Sequence, residues 1–127
     1  MEKEFVPYEQ ALALKELGFD EPCFGYYTSP DNLTLEQPAG RNGGFVYFAP
    51  TFSQAFRWFR EKYNLHSTLH LNSKGYFTTI TEKINNLTPC IFSSEIFNEP
   101  EEAELECLKK LIEIVKKKII WKIFLKT

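Results

Sequence analysis

Two short segments, each predicting an amphipathic helix that leads into aromatic-rich, strand-like sequence, constrain the fold of this chain most strongly. They are PYEQALALKELGFDEPC at residues 7–23 and PTFSQAFRWFREKYNL at residues 50–65. Each begins with an aromatic residue, continues with a Gln-Ala pair, and places a large apolar residue three positions after the alanine. Apolar residues three and four positions apart are typical of a helix that buries one face. In the second segment this face holds the following residues: Phe52, Ala55, Phe56, Phe59 and Tyr63.

The segments between and after these helices have the composition of strands. The predicted strands are CFGYYT (23–28), LTLEQ (33–37), FVYFA (45–49), STLHLN (67–72), YFTTITEK (76–83) and TPCIFSS (88–94). The fourth and fifth flank a Ser-Lys-Gly turn, which predicts an antiparallel hairpin. We therefore expect an α+β fold, a small antiparallel sheet packed by three helices. The recurrence of the Gln-Ala helices, 44 residues apart, is also compatible with a degenerate αββ duplication.

A third helix is predicted from Pro100 onward, with glutamates in its first half and three lysines at 116–118, an order that complements the helix dipole. Its predicted buried stripe is Leu105, Leu108, Leu111, Ile112 and Val115. After it comes an apolar and basic C-terminal tail, residues 119–127 (IIWKIFLKT). We expect the tail to pair as a strand or to pack against the helix, because Trp121 and Phe124 are costly to leave in water. The alternatives are binding to an anionic membrane surface, docking on an acidic partner, and self-association.

Length and cysteine usage predict a single cytoplasmic domain. A chain of 127 residues is long enough to bury a core without disulfides. Its three cysteines are an odd number and form no CxxC motif, which favours reduced thiols. No apolar leader follows Met1, and no stretch is long enough to span a bilayer, so no transmembrane segment is expected.

The charge of the chain argues against strong nucleic-acid binding. The net charge is −2, although residues 109–127 alone carry seven lysines and one glutamate. Arg57, Trp58 and Arg60 interleave cations with an aromatic ring, as in surfaces that stack on single-stranded bases. The favoured interpretation is that Trp58 extends the apolar core and that Arg57 pairs with Glu61 one helical turn away.

The loop PAGRNGG at residues 38–44 is a candidate anion site. Its backbone N–H groups could cradle an anion beside Arg41. Phosphate loops, however, normally lead from a strand into a helix, and this loop leads into a predicted strand. A connector is therefore the favoured interpretation.

Metal and nucleophile chemistry receive weak support from the sequence. His66 and His70 face the same side of a strand and could bind a metal with Cys90 as a third ligand, but two surface histidines are favoured. Cys23 and Cys107 lie in apolar surroundings, which indicates buried, inert thiols. Neither G-x-S-x-G nor H-E-x-x-H is present, so no catalytic residue and no cofactor are predicted.

Three blocks of the sequence, FVPYEQALALKELGFDEPC, APTFSQAFRWFREKY and EEAELECLKKLIEIVK, resemble a family of short uncharacterised proteins. That family occurs in gut bacteria of the Bacteroides group, in their mobile elements and in their phages. The resemblance implies a cytoplasmic accessory protein of a phage or mobile element in a bacterial host cell, and it implies no activity, cofactor or catalytic residue. It does not extend to the tail.

We therefore expect a non-catalytic protein that recognises a host or phage protein. The speculative binding residues are Arg41, Arg57, Trp58 and Arg60. The alternatives are a small enzyme whose site assembles only in three dimensions, and a single-stranded nucleic-acid binder.

Overall fold

The computed structural model of the chain describes residues 2–35 and 47–126. The chain divides into two compact units, Met1–Ala55 and Phe56–Thr127, where the sequence predicts one domain. After a short 3-10 turn at Glu2–Glu4, the elements are α1 (Tyr8–Glu16), β1 (Gly25–Ser29), β2 (Asn32–Thr34), β3 (Tyr47–Ala49), α2 (Phe52–Tyr63), β4 (Leu65–Asn72), β5 (Gly75–Glu82), β6 (Cys90–Ser93) and α3 (Pro100–Lys126). Among the described helices, none is both long enough and apolar enough to cross a membrane.

The sequence predicts that the first helix begins at Pro7 and ends before Gly18, and α1 lies within those bounds. Pro7 precedes the first helical residue, where a missing N–H costs nothing. Gly18 follows the C-cap with φ +101°, a left-handed conformation that glycine adopts without strain. Ala11 and Leu14 point into the first unit and are buried.

The first unit contains a three-stranded antiparallel sheet in the order β2-β1-β3. The hydroxyl of Tyr27, on the central strand, donates a 2.8 Å hydrogen bond to the Val6 carbonyl. The Tyr8 ring packs edge-on against Tyr27 and Tyr47, with ring centroids 5.4 and 5.9 Å away. Aromatic packing and one buried hydrogen bond therefore join α1 and its preceding residues to the sheet.

Helix α2 begins in the first unit and continues in the second. Phe52, Ala55, Trp58 and Phe59 are buried, whereas Phe56, predicted to be core, is only half-buried. The Trp58 ring packs edge-on against Phe59 at 5.0 Å.

The second unit contains an antiparallel sheet in the order β4-β5-β6. Its hairpin is the predicted one, but Gly75 belongs to β5, so the turn has two residues where the sequence predicts three. Asn72 Oδ1 accepts hydrogen bonds from the backbone N–H groups of Lys74 and Gly75, at 2.8 and 3.1 Å. A side chain at Gly75 would collide with the Phe97 carbonyl, and its φ of +146° is one that other residues rarely adopt. The turn therefore fixes the register of the sheet.

Helix α3 covers one face of the second sheet, between β4 and β5. Its buried residues are Ala103, Cys107, Leu108, Leu111, Ile112 and Val115. The facing strands contribute Leu65 and Ile80, both fully buried, and Thr78, which is 2 % exposed. The Thr78 hydroxyl donates to the Ala103 carbonyl at 3.5 Å, which satisfies the one buried polar side chain in this contact.

The predicted α+β class is confirmed, although the strands form two small sheets rather than one. Each unit contains a helix followed by an antiparallel pair of strands, the αββ order that the sequence suggests. The third strand is placed differently in the two units. In the first unit β3 pairs with β1, the first strand of the pair, whereas in the second unit β6 pairs with β5, the second strand of the pair. A duplication therefore stays a prediction, and it covers at most the αββ part. Parts of the predicted strands, at 36–37 and 45–46, lie outside the described residues.

Candidate protein-binding surface

The largest exposed apolar surface of the described helices lies on the last two turns of α3. Five side chains of the tail are 61–67 % exposed: Ile120, Trp121, Ile123, Phe124 and Leu125. The tail is helical because it contains neither Gly nor Pro and continues an established helix. The Trp121 and Phe124 rings stack along the helix, with centroids 5.7 Å apart and an interplanar angle of 18°.

The expectation that the tail forms a strand or packs against the fold is wrong. In the structure it is a helical extension whose apolar side chains are exposed to solvent. The reason lies in the length of the sheet below it. Lys118 Nζ lies 2.7 Å from the Oε2 atom of Glu82, the last residue of β5. Within the second unit, the helix beyond Lys118 has therefore passed the end of the strand that it covers.

Lysines surround the base of the tail. Lys116 and Lys122 are exposed, and Lys117 Nζ lies 3.0 Å from Glu113 Oε1. The other oxygen of Glu113 is 3.3 Å from Lys110. Hydrogen bonds from Lys117 and Lys110 lower the pKa of the Glu113 carboxyl, so this single acid stays ionised among the lysines. The tail is therefore an apolar surface with a cationic border.

The predicted binding residues on α2 do not form an open stacking surface. Trp58 is only 6 % exposed, which confirms that it extends the core and excludes base stacking on its ring. Arg57 pairs with Glu61 at 3.4 Å, as the spacing predicts. Arg60 is exposed, and Lys62 Nζ lies 5.6 Å from the centroid of the Trp58 ring. Arg41 and the loop 38–44 lie outside the described residues.

The two histidines lie on one strand, β4, but are not brought together. Residues four apart in a strand are separated by about 13 Å, too far for two imidazoles to share an ion. His70 Nε2 lies 2.9 Å from the Thr79 hydroxyl, and its ring stacks on Phe77 at 4.7 Å. Cys90 lies on β6, with β5 between it and the histidines. In the described part of the chain no three His, Cys, Asp or Glu residues are placed to hold a metal ion.

Groups with shifted pKa values do not assemble into a reactive site. Burial raises the pKa of Cys23 to about 12 and that of Cys107 to about 11, so both thiols are protonated and poor nucleophiles at neutral pH. The predicted burial of both thiols is confirmed, and their inertness stays a prediction. Burial and the neighbouring Glu101 raise the pKa of Glu104, on the side of α3. None of these groups lines either of two clefts described in the first unit, of about 430 and 340 Å³.

The sequence analysis identified the tail residues but assigned them to the core. The distribution of apolar residues around the helix distinguishes a tail that packs in the core from one that is exposed to solvent. At 100° per residue, the apolar residues of 119–125 cover about 240° of the circumference, whereas a packed helix carries a narrower stripe. A short helix of this kind cannot bury all its apolar side chains against one sheet.

No family model matches the chain, and neither a curated protein nor a solved structure matches it. The resemblance to Bacteroides-group and phage proteins therefore stays a prediction. A function for the chain has to be inferred from the surfaces described above.

Proposed function

We propose that the protein is a non-catalytic binding protein that recognises another protein through its C-terminal tail. The observation that carries the proposal is the exposure, above 60 %, of five large apolar side chains among six successive residues of a helix. Contiguous apolar surface on a folded protein marks an interaction site or an aggregation hazard. Trp121 supplies the type of rigid aromatic anchor that dominates protein interfaces.

The shape of the tail favours a protein groove over a membrane surface. A helix that lies on a bilayer needs its apolar residues on one side and its cations on the other. In the tail, Trp121 and Ile123 point about 160° apart, so the apolar side chains do not lie on one side of the helix. A groove that encloses the helix on several sides buries both side chains at once, which a flat surface cannot do.

The buried area sets the strength of this interaction. Covering the exposed parts of five such side chains contributes roughly 5–10 kcal/mol. Association costs about 4–15 kcal/mol, so the apolar contact alone gives a weak complex. A tight complex needs further contacts around the rim.

The rim of the tail predicts the charge of the partner. Lys116, Lys117 and Lys122 present cations beside the apolar side chains. A partner groove edged with carboxylates would be attracted to them, and this attraction raises the association rate at low salt. We therefore infer an apolar groove with an acidic rim.

The resemblance of the sequence adds a biological setting to this proposal. It supports an accessory protein of a phage or mobile element, acting in the cytoplasm of a bacterial host on a host or phage protein. The acidic remainder of the chain and the burial of Trp58 both disfavour nucleic acid as the target.

The test is site-specific photo-crosslinking in a lysate of the organism that carries the gene. A photoreactive benzoylphenylalanine replaces Phe124 in one variant and Leu87 in the control, two side chains that are 66 % and 69 % exposed. We expect a defined crosslinked protein from the Phe124 position and none from the Leu87 position. The double variant Trp121→Ser, Phe124→Ser should not co-purify with that protein.

Two outcomes would contradict the proposal. Equal crosslinking from both positions would show that the tail has no special affinity. Co-sedimentation with vesicles of mixed zwitterionic and anionic lipid, lost in the Trp121→Ser, Phe124→Ser variant and with no crosslinked protein, would assign the tail to membrane surfaces instead.

A further inference from the structure

In the second sheet β4 is an edge strand, which pairs with β5 alone within that sheet. In the β5–β6 half of the sheet, Tyr76 exchanges backbone hydrogen bonds with Phe97 at 2.8 and 2.7 Å. In a strand, the N–H and C=O groups of one residue both point toward the same edge. Those of the next residue point toward the opposite edge. Even-numbered residues of β5 therefore point toward β6 and odd-numbered ones toward β4. By the register of the hairpin, His66, Thr68 and His70 point toward β5.

The remaining residues of β4 direct their backbone groups away from the sheet. These outward residues are Ser67, Leu69 and Leu71. Among the described residues of the second unit, none forms a backbone hydrogen bond with them. The strand is open to solvent here, because Thr68, Leu69 and Leu71 are exposed, the two leucines by 42 % and 69 %.

This edge lacks the features by which natural proteins prevent strands from pairing. Such features are short length, proline, charged side chains and bulges. At the opposite edge, β6 has four residues, follows Pro89 and has an irregular register. In the other sheet, β2 and β3 have three residues each. By contrast, β4 has eight residues, LHSTLHLN, with no proline and no formal charge, and its register against β5 is regular.

We propose that β4 pairs antiparallel with β4 of a second copy of this chain, with Leu69 opposite Leu69. In this register Ser67 of each copy lies opposite Leu71 of the other. The three outward residues are symmetric about Leu69, so all their N–H and C=O groups find partners, in roughly six hydrogen bonds. The two sheets become one six-stranded sheet, with both α3 helices on the same face.

The chemistry of the strand favours a second copy as the occupant. A two-fold axis places each side chain opposite its symmetry-related neighbour, so any charge near the axis would meet a like charge. The strand carries none, and its two exposed leucines would cluster around the axis. Pairing therefore covers apolar side chains and unpaired backbone together, without a repulsive contact.

The experiment is sedimentation equilibrium of the full chain with charge variants at the symmetry axis. Wild type should approach twice the 14.9 kDa mass of one chain as its concentration rises to roughly 100 µM. Leu69→Lys and Leu69→Glu, taken separately, should each associate at least tenfold more weakly, because like charges meet at the axis. An equimolar mixture of the two should recover the double mass, a result that misfolding would not produce.

Two control variants separate this interface from other surfaces. Leu87→Lys places a charge on another exposed leucine and should dimerise like wild type. Trp121→Ser, Phe124→Ser should also dimerise, because the tail is not part of this interface. The proposal is overturned if wild type stays at the mass of one chain, or if Leu69→Lys still dimerises. It is also overturned if the mixture of the two charge variants does not recover the double mass, or if only the tail variant abolishes the dimer.

Discussion

The two halves of α3, the packed residues up to Lys118 and the tail beyond them, lie in opposite environments. In the first half, Ala103, Cys107, Leu111 and Val115 are each 0 % exposed. In the tail, Trp121 is 61 % exposed, and its apolar neighbours on 120–125 are exposed to the same degree. Both halves belong to one continuous helix in one unit of the structure.

The spacing of the apolar residues around the helix explains this difference. Ala103, Cys107, Leu111 and Val115 repeat every four positions, and Leu108 and Ile112 form a second row beside them, so the buried residues make one stripe that faces the sheet. In the tail, six of the seven residues at 119–125 are apolar, so no such stripe exists. An apolar residue on a helix therefore contributes to folding only where its row meets another element, and elsewhere it is available for binding.

The largest expected difference between the two halves is in the free energy of unfolding that is lost when one leucine in each is replaced by alanine. Leu111→Ala leaves a cavity beneath α3 and should lower the free energy of unfolding by about 2–5 kcal/mol. Leu125→Ala removes the same atoms from a side chain that is 67 % exposed. This variant should change the free energy of unfolding by less than about 0.5 kcal/mol. Urea unfolding of both variants at one fixed protein concentration measures the difference. Similar losses would mean that the tail is packed in solution.

A smaller effect is expected from ionising a thiol in the buried row. Burial raises the pKa of Cys107 from 9.0 to about 11, against the opposing effect of hydrogen bonds to Thr78 and Ser67. A thiol whose pKa is raised in the folded state contributes its full stability below pH 9 and loses it as the pH rises toward 11. The free energy of unfolding should therefore fall above pH 9 by up to about 1.4 kcal/mol per pH unit from this group.

Substitution separates this contribution from that of other groups titrating at high pH. Cys107→Ala should flatten the decline of the unfolding free energy relative to wild type, whereas Cys90→Ala, at an exposed thiol, should not. An identical slope in wild type and Cys107→Ala would show that this thiol does not control the alkaline loss.

The sequence predicted the local elements of the fold because their signals are local. The turn after Asn72, Gly18 after α1, and the stripe from Leu108 to Val115 each depend on neighbouring residues. The division into two sheets could not be predicted in this way. It depends on which strands pair, and β1 pairs with β3 across more than ten intervening residues.

The sequence predicted which residues form the candidate site, but it did not predict that they are exposed to solvent. The tail was recognised as apolar and basic, and its need for cover was clear. Sequence could not show that the helix passes the end of β5 at Glu82, which leaves nothing of the second sheet beneath it. For Trp58 the sequence did indicate the environment, because a large ring beside the Phe stripe was expected to extend the core, and it is 6 % exposed.

The ion pair at the boundary between the two halves should contribute modestly. Glu82 is 17 % exposed and its carboxylate lies 2.7 Å from Lys118 Nζ. Lys118→Met leaves a partly buried carboxylate without this partner and should cost about 0.5–1.5 kcal/mol, less at high salt. Lys117→Met removes a more exposed pair with Glu113 and should have no measurable effect on the melting temperature. If both variants melt alike, Lys118 does not anchor the end of the packed half.

The smallest effect is expected from removing the tail altogether, which tests the comparison most directly. Deleting residues 119–127 keeps the Lys118–Glu82 pair and every buried residue of α3, so the free energy of unfolding should change by less than about 1 kcal/mol. The deletion also removes Trp121 and leaves only Trp58, which is 6 % exposed. The remaining fluorescence should therefore move to shorter wavelength and become less sensitive to acrylamide. A melting temperature that falls as far as in Leu111→Ala would show that the tail belongs to the folded core, and binding through it would then be excluded.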